Sequence, residues 1–157
     1  MKQRIYIDTS VIGGCFDKEF EEWSNTLLNE FIVGNKIAII SDITIDELEN
    51  APEKVQKIIS KIPDENLFVL ESDSESEQLA NLYLKEGAVS EKFYEDALHI
   101  AIATIHQVSV LASWNFKHIV NLDRIRKYNA VNLKNGYSIL EIRTPREILK
   151  TDDNENE

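Results

Sequence analysis

The chain has 157 residues, and its 17 Lys and Arg residues against 28 Asp and Glu residues give a formal net charge of −11. This length suits one domain, and the contents of 43% apolar and 29% charged residues are ordinary for a globular fold. The longest wholly apolar run is about four residues, which argues against a membrane-spanning helix. The single cysteine, Cys15, excludes an internal disulfide framework and a cysteine-based zinc site. The composition therefore predicts a soluble protein of a reducing, cytoplasmic compartment with no membrane partner.

Charge is distributed unevenly along the chain. A net charge of −11 argues against a protein that coats nucleic acid by bulk attraction. Residues 112–135, however, carry five positive side chains and one negative side chain, so this segment is +4 and the other 133 residues are −15. Such a segment suits a local phosphate contact or an ordinary solvated helix face, and charge alone leaves both interpretations open.

In the first part of the chain, short β-prone segments alternate with segments of helical periodicity. Residues 4–7 predict a buried first strand, and apolar residues at helical spacing between residues 20 and 31 predict a helix. Residues 37–40 predict the second strand. The next helix is predicted to begin at Thr44, because Thr44–Glu47 has the capping-box pattern, and another helix follows Pro52.

The second part of the chain continues this alternation. A capping-box pattern at residues 72–75 opens a helix that closes at Gly87, and residues 91–106 predict a helix that is apolar on most sides. Two further helical segments are predicted, one around residues 119–125 and a capped turn that starts at Thr144. The remaining strands are predicted at residues 67–70, 108–112 and 137–142.

Alternation of strands and helices is typical of α/β proteins. It predicts a mostly parallel central sheet of about five strands, covered by helices on both faces. The sequence shows no linker and no internal repeat, so residues 1–150 are predicted to form a single domain. Residues 151–157 are predicted to form an acidic disordered tail, since this segment is almost entirely Asp, Glu and Asn.

Three carboxylates and one amide are predicted to lie at the mouth of this sheet. Asp8 directly follows the first strand, Asn115 follows the fourth strand, and Glu47 is predicted in the first turn of the helix after the second strand. Asp96 lies in the first turns of the most apolar helix, where a carboxylate is costly unless another group pairs with it. Ligands of open α/β sheets collect at the carboxyl ends of the strands, so these side chains are the candidates for a functional site.

Crowded carboxylates predict a divalent cation. Without a cation, their mutual repulsion would keep one of them protonated. Mg²⁺ and Mn²⁺ favour oxygen ligands, and Mg²⁺ usually binds one or two carboxylates together with water and substrate phosphate. Such a site suits phosphodiester hydrolysis, because the metal activates a water molecule and neutralises charge on the scissile phosphate. Thr9 or Ser10 could orient a ligand there.

Four sequence blocks follow one another along the chain: Ile5–Ser10, Glu47, Glu95–Ala103 and Leu111–His118. Together and in this order they resemble PIN-domain proteins, and in particular VapC-like toxins of type II toxin–antitoxin pairs. The resemblance implies a three-layer α/β/α fold and a Mg²⁺- or Mn²⁺-dependent endoribonuclease that cleaves RNA phosphodiester bonds. It also implies a homodimer and a cognate antitoxin. The residues that match the three principal acids of the family, and so the implied catalytic and metal-binding residues, are Asp8, Glu47 and Asp96.

The fourth acidic position departs from the family pattern. Many relatives have Asp after the fourth strand, where this chain has Asn115. An asparagine can offer one oxygen but no charge, which should weaken a second metal more than the first. Two-metal hydrolysis is therefore in doubt, and one-metal hydrolysis stays open. The resemblance also implies that the neighbouring basic segment holds RNA phosphates at the rim of the site, through Lys117, Arg124, Arg126 and Lys127.

Other interpretations of single residues remain open at this point. Glu47 could serve only as a capping-box residue, and Asn115 only as a turn residue that bonds its own backbone. His99, on the buried helix, is expected to be a satisfied polar group rather than a metal ligand. Trp114 is expected to pack in the core, with stacking on a nucleobase as the alternative.

Two functional alternatives also remain open. The chain could be a weakened or inactive PIN-like scaffold that binds RNA or a protein, since Asn115 and the acidic net charge both allow that function. It could also be a metal-dependent phosphatase or DNA nuclease, because the same carboxylates would serve any phosphate ester.

Overall fold

The computed structural model describes residues 1–155, with side chains described up to Lys150. Strands and helices alternate through this range, and short 3₁₀ turns occupy residues 59–61, 64–66 and 91–93. The elements are β1 (Arg4–Ile7), α1 (Thr9–Gly14), α2 (Glu21–Ile32), β2 (Ile37–Ser41), α3 (Asp42–Leu48), α4 (Glu53–Gln56), β3 (Leu67–Leu70), α5 (Ser74–Lys85), α6 (Tyr94–Ile105), β4 (Val110–Ala112), α7 (Leu122–Lys134), β5 (Ile142–Arg143) and α8 (Pro145–Glu155).

The five strands form one parallel sheet in the order β3-β2-β1-β4-β5. Tyr6 of β1 is paired with Ile39 of β2 on one side and with Leu111 of β4 on the other. The predicted α/β class with a parallel five-stranded sheet is therefore confirmed. From β1 the chain winds outward through β2 and β3, and from β4 it winds the opposite way to β5. The winding direction thus reverses between β1 and β4, which is where open α/β sheets form their ligand crevice.

Helices bury both faces of the sheet, which confirms the predicted three-layer arrangement. Successive side chains of β1 point to opposite faces, so Tyr6 belongs to one core cluster, while Ile5 and Ile7 belong to the other. The Tyr6 face packs against α5, α6 and α7, and the opposite face packs against α1, α2 and α8. Helix α6 lies deepest, since all eight residues 97–104 are buried.

Helix α3 starts earlier than the sequence predicts. Ser41, at the end of β2, has extended backbone angles and is the N-cap, and its amide N–H donates to Thr44 Oγ1 at 3.3 Å. Thr44 is therefore the third residue of α3 and not its first. The placement of Glu47 in the first turn is accordingly wrong, and so is its capping-box role, because Glu47 lies near the end of α3.

The predicted strand at residues 137–142 is also wrong for most of its length. Only Ile142 and Arg143 form β5. The backbone N–H of Leu140 donates to Asn129 Oδ1 at 2.8 Å, and its carbonyl accepts from Asn129 Nδ2 at 3.1 Å. A side chain of α7 therefore uses the backbone groups that a strand would have offered to its neighbour. Similarly, β4 is shorter than predicted, because Val108 N–H bonds to Ala103 O at the end of α6.

The last helix enters the segment for which a disordered tail is predicted. Thr144 Oγ1 accepts from Glu147 N–H at 3.2 Å, and Glu147 Oε1 accepts from Thr144 N–H at 3.1 Å, so the predicted cap is confirmed. Helix α8 then continues to Glu155, whereas residues 156–157 of the predicted tail lie outside the described residues. The single domain at residues 1–150 stays a prediction. No helix within residues 1–155 has the length and apolar content needed to cross a bilayer.

Candidate active site

Asp8 is a buried carboxylate held from both sides at the reversal point of the sheet. Its Oδ1 accepts hydrogen bonds from Ser10 Oγ at 2.6 Å and from Val11 N–H at 3.3 Å, and its Oδ2 accepts from Ser113 Oγ at 2.6 Å. Asp8 is also the N-cap of α1 and is only 4% exposed. Burial raises the pKa of Asp8, although the charge of His99 and these hydrogen bonds oppose the rise. These three hydrogen bonds fix the carboxylate in place.

Asp96 is partly buried and lies in the first turn of α6, the helix that packs on the Tyr6 face of the sheet. Burial raises the pKa of Asp96 to about 6. The positive charge of His99 opposes this rise, whereas the negative charges of Asp8 and Glu47 add to it. The three predicted acids therefore share one electrostatic environment, as expected for a site that a cation would stabilise.

Glu47 is bound by a histidine within a buried hydrogen-bonded chain. His99 Nε2 lies 2.5 Å from Glu47 Oε1, and because a carboxylate can only accept, Nε2–H is the donor. His99 Nδ1 lies 2.6 Å from Tyr6 Oη, which lies 2.7 Å from Ser41 Oγ. Burial opposes protonation of His99, but Tyr6 and Glu47 outweigh that effect and raise the pKa of His99. The expectation that His99 is a satisfied polar group is confirmed, and its partner is a predicted site residue.

Asn115 uses its oxygen within its own loop. Its Oδ1 accepts from His118 N–H at 3.0 Å, and its backbone N–H donates to Ser113 Oγ at 2.9 Å. Its Nδ2 lies 3.4 Å from Asp96 Oδ2. Asn115 is thus a turn residue, one of the two roles that the sequence left open. It presents a donor to the site rather than a ligand oxygen.

The donor set fits a cation held by two carboxylates. Among the residues whose side chains are described, no three His, Cys, Asp or Glu side chains are grouped closely enough to hold one metal ion. The pKa values of Asp8 and Asp96 are nevertheless both raised, and the negative charge of Asp8 contributes to the rise at Asp96. The buried Thr9 Oγ1 has no hydrogen-bond partner in the described part of the chain. Mg²⁺ typically uses one or two carboxylates and several waters, so Asp8 and Asp96 suit a hydrated ion, while Glu47 is engaged by His99.

Two of the four predicted RNA-binding cations are already engaged elsewhere. Arg124 Nη1 donates to Ala88 O at 2.8 Å, and Lys127 Nζ lies 3.1 Å from Asp123 Oδ2. Lys117 and Arg126 are exposed. An RNA-binding role for these four residues stays a prediction.

Sequence reasoning missed a basic residue beside Asp96. An open cleft of about 380 Å³ next to this carboxylate is lined by Lys92, Phe93, Tyr94 and Glu95. Lys92 gave no sequence signal, because it is a single lysine next to Glu91 in a segment predicted only as a helix start.

Trp114 packs rather than facing solvent. Its ring is stacked on Phe20 with centroids 4.3 Å apart and 17° between the planes, and its Nε1–H donates to Ser24 Oγ at 2.8 Å. At 8% exposure it offers no free face to a nucleobase, so the packing interpretation is confirmed. The exposed aromatic residue of this loop is Phe116, which sequence reasoning missed. A large apolar side chain in a polar loop was the signal that could have found it.

Three solved structures share this architecture. VapC20 of Mycobacterium tuberculosis, a toxin that cleaves the sarcin–ricin loop, has a TM-score of 0.55 and 13% identity, over 73% of this chain and 92% of that one. VapBC2 of Rickettsia felis, solved with a promoter DNA fragment, has a TM-score of 0.57 and 17% identity, over 90% and 98%. FitAcB of Neisseria gonorrhoeae has a TM-score of 0.56 and 16% identity, over 90% and 97%.

The chain has the PIN-domain fold of VapC-type toxin–antitoxin proteins. No protein-family model matches the sequence, and no curated protein matches it. At these identities the likeness establishes the fold of this chain, and the chemistry of the candidate site has to be argued from the chain's own residues. The resemblance carried by the four sequence blocks is confirmed at the level of the fold.

Proposed function

We propose that this PIN domain is a Mg²⁺- or Mn²⁺-dependent endoribonuclease and the toxin component of a toxin–antitoxin pair. The observation that carries the proposal is the position of Asp8, a buried carboxylate fixed by Ser10 and Ser113 where the winding of the sheet reverses. Its raised pKa, and that of Asp96 beside it, support a site completed by a cation. The ribonuclease activity named for VapC20 supports RNA as the substrate.

Each residue of the candidate site would have a separate role in hydrolysis. Asp8 and Asp96 would hold the metal, which when bound supplies an activated water and neutralises charge on the scissile phosphate. Ser10 and Ser113 keep the two oxygens of Asp8 in place. Glu47, oriented by His99, would accept a hydrogen bond from the attacking water. The Thr9 hydroxyl, which has no hydrogen-bond partner among the residues whose side chains are described, would bind a ligand of the metal.

The proposed partners follow from charge and from the neighbouring structures. A body with a net charge of −11 would attract a basic antitoxin segment, and an arginine could pair with the acidic site. The toxin–antitoxin complexes among the structural neighbours support such a partner. A homodimer and a cytoplasmic location belong to the same proposal.

The test is cleavage of a mixed RNA substrate by the purified, partner-free protein with EDTA, Mg²⁺ or Mn²⁺. Asp8→Asn is the test variant. Asp64→Asn is the matched control, because Asp64 is exposed in a 3₁₀ turn before edge strand β3. We expect metal-dependent cleavage by the wild type and by Asp64→Asn, and none by Asp8→Asn. If Asp8→Asn cleaves like the wild type, the assignment of the site is wrong.

DNA and a phosphomonoester belong in the same substrate panel. If either is hydrolysed faster than RNA under these conditions, the activity belongs to the nuclease or phosphatase class that the sequence left open. Faster cleavage of RNA supports the proposed function.

Asn115 supports a second candidate function, a PIN-domain scaffold with weakened or absent cleavage. Its oxygen is bound to His118 N–H, and it directs an amide nitrogen toward Asp96, so it adds neither charge nor a ligand oxygen to the site. No cleavage by a folded, partner-free sample, together with measurable binding to RNA or a protein, would favour this function. A large gain of cleavage in Asn115→Asp would show that the natural site is weakened.

A further inference from the structure

An aromatic groove lies beside the candidate active site. It has a volume of about 520 Å³, and we define it by six of its lining residues: Phe20, Trp23, Trp114, Phe116, Arg146 and Lys150. Phe116 directly follows Asn115, whose amide faces Asp96, so the groove begins one residue from the site. The proposed hydrolysis does not use it.

The floor of the aromatic groove is preformed. Trp114 stacks on Phe20, and its indole nitrogen is bonded to Ser24. Gly14 lies directly against this pair, because a Cβ added there would come within 2.6 Å of Ser24 Oγ and 2.9 Å of Trp114 Nε1. The floor therefore needs no ordering before a ligand binds, which lowers the entropy lost on binding.

One hydroxyl connects this floor to the catalytic carboxylate. Ser10 Oγ donates to Asp8 Oδ1 at 2.6 Å and accepts from the backbone N–H of Trp114 at 2.9 Å. The distance between the aromatic groove and Asp8 is therefore fixed by two short contacts. A substrate bound in the groove is held in register with Asp8.

The walls of the groove offer ring faces and positive charge. Phe116 is 51% exposed, and its ring centroid lies 6.1 Å from that of Phe20. The Arg146 guanidinium lies 5.6 Å from the centroid of the half-buried Trp23 ring, and Lys150 is exposed. Aromatic faces bind unpaired nucleobases by stacking, and neighbouring cations bind the phosphate backbone.

Two acidic residues also line the groove, Glu19 and Glu147. The carboxylate oxygen Oε1 of Glu147 already accepts a hydrogen bond from Thr144 N–H at 3.1 Å. The groove is therefore not a general polyanion site, and the ring faces would provide most of the affinity. A flat, unpaired base matches these ring faces, and the phosphate beside it matches Arg146 and Lys150.

We propose that the aromatic groove binds one unpaired nucleobase of the RNA substrate, adjacent to the phosphodiester held at Asp8 and Asp96. The inference rests on the proposed function, because it assumes that RNA is the ligand. It adds that cleavage requires a single-stranded nucleotide beside the scissile bond, and that Phe116 contributes the stacking face.

Phe116→Ala tests this inference, with Phe68→Ala as the matched control. Phe68 is 54% exposed on edge strand β3, at the opposite edge of the sheet from β5. Binding is measured by fluorescence anisotropy in the Asp8→Asn background, with a short labelled single-stranded RNA and with versions that each carry one abasic nucleotide. We expect Phe116→Ala to weaken binding about tenfold, within the range for loss of one stacked base. We expect Phe68→Ala to leave the Kd unchanged and Phe116→Trp to restore it.

The abasic RNAs identify the base. At one position, removal of the base should weaken binding by the Phe116-containing protein and abolish the difference between it and Phe116→Ala. Equal Kd values for the Phe116-containing protein and Phe116→Ala on intact RNA would overturn the inference. So would a tenfold difference that persists on every abasic RNA, since Phe116 would then contact no particular base.

Failure of this inference and failure of the proposed function give different results. If the wild type cleaves RNA and Phe116→Ala has the same KM, the groove is not the base site, and the nuclease stands. If the wild type does not cleave but binds RNA through Phe116, the nuclease is wrong and the base site stands. If Phe116→Ala weakens binding to a protein partner and leaves RNA binding unchanged, the groove is a protein interface and the inference is wrong. Equal melting temperatures of the variants show that folding is unaffected.

Discussion

His99 donates a hydrogen bond to Glu47 from α6 to α3, across 52 positions of the chain. The imidazole is 2% exposed and its other nitrogen is bonded to Tyr6, so it has no freedom to follow a different rotamer of Glu47. The Glu47 side chain is partly open, at 30% exposure. A buried histidine thus fixes the Glu47 carboxylate, and the core of the protein sets the position of a proposed catalytic group.

We expect His99→Leu to lower kcat for RNA cleavage at least tenfold, in the range found when a partner that orients a site ligand is removed. Because His99 acts through Glu47, the loss in the His99→Leu/Glu47→Gln double variant should be no larger than that in Glu47→Gln alone. This double-mutant cycle is measured as single-turnover RNA cleavage by the wild type, the two single variants and the double variant. Additive losses would contradict the positioning role.

A control separates this effect from loss of core stability. Tyr83, fully buried like Tyr6, bonds to Asn132 on the same face of the sheet and lies outside the chain that holds Glu47. Tyr83→Phe and Tyr6→Phe each remove one buried hydroxyl, at a cost of about 1–3 kcal/mol in unfolding free energy. We expect only Tyr6→Phe to lower kcat.

The stability of the metal-free protein should depend on the protonation of Asp96. Its pKa is raised to about 6 in the folded state, so its contribution to stability is complete below about pH 4 and is lost as the pH rises through about 6. The loss is on the order of 2 kcal/mol, once the partial exposure of the carboxylate is allowed for. Urea unfolding in EDTA between pH 4 and pH 8 measures it. We expect Asp96→Asn to show a smaller loss than the wild type, with the remainder arising from Asp8 and His99, whose pKa values are also raised.

Mn²⁺ should reverse that loss. Binding requires the ionised carboxylates, so the rise in melting temperature on adding Mn²⁺ should be larger at pH 7.5 than at pH 5. A rise of equal size at both pH values would show that the ion binds away from Asp8 and Asp96. The stabilising contribution of His99, whose pKa is raised from 6.5 to about 10, falls from about pH 6.5 upward, but it is the same with and without Mn²⁺ at each pH, so the Mn²⁺-induced rise does not report it.

Ser113→Ala should weaken Mn²⁺ binding about tenfold, because it frees one oxygen of Asp8 from the hydrogen bond that orients it. Calorimetric titration with Mn²⁺ measures the change. Ser60→Ala is the control, because Ser60 is exposed and its hydroxyl donates to the carbonyl of Lys57, away from the site. Equal affinities in the two variants would remove Ser113 from the site.

Asn115→Asp should keep the loop intact, since an aspartate oxygen can still accept from His118 N–H. The substitution replaces the amide beside Asp96 with a second negative charge, so we expect a lower metal-free melting temperature at pH 8 and stronger dependence on Mn²⁺. Thermal unfolding with and without Mn²⁺ tests this. No change in either measurement would place residue 115 outside the electrostatic field of the site.

The sequence predicts the sheet and its acids because these depend on local patterns. Residues 4–7 and 37–40 are short apolar runs, and Asp8 is placed by its position at the end of one of them. The chain Tyr6–His99–Glu47 could not be predicted, since it depends on how α3 and α6 pack on the sheet. Likewise, the fifth strand was overestimated because the side chain of Asn129, in another element, takes its backbone groups.

The hydrogen bond between Asp8 and Ser113 joins residues 105 positions apart. During synthesis, Asp8 and Ser10 are made long before Ser113, so the second of the two supporting serines leaves the ribosome only after β1, β2, β3 and α6 have done so. A nascent chain that ends before β4 has Asp8 and Asp96, yet it cannot align Asp8 between two serines. The candidate site therefore forms late and together with the fold, so a ribosome translating this protein would not meet an assembled site on the unfinished chain.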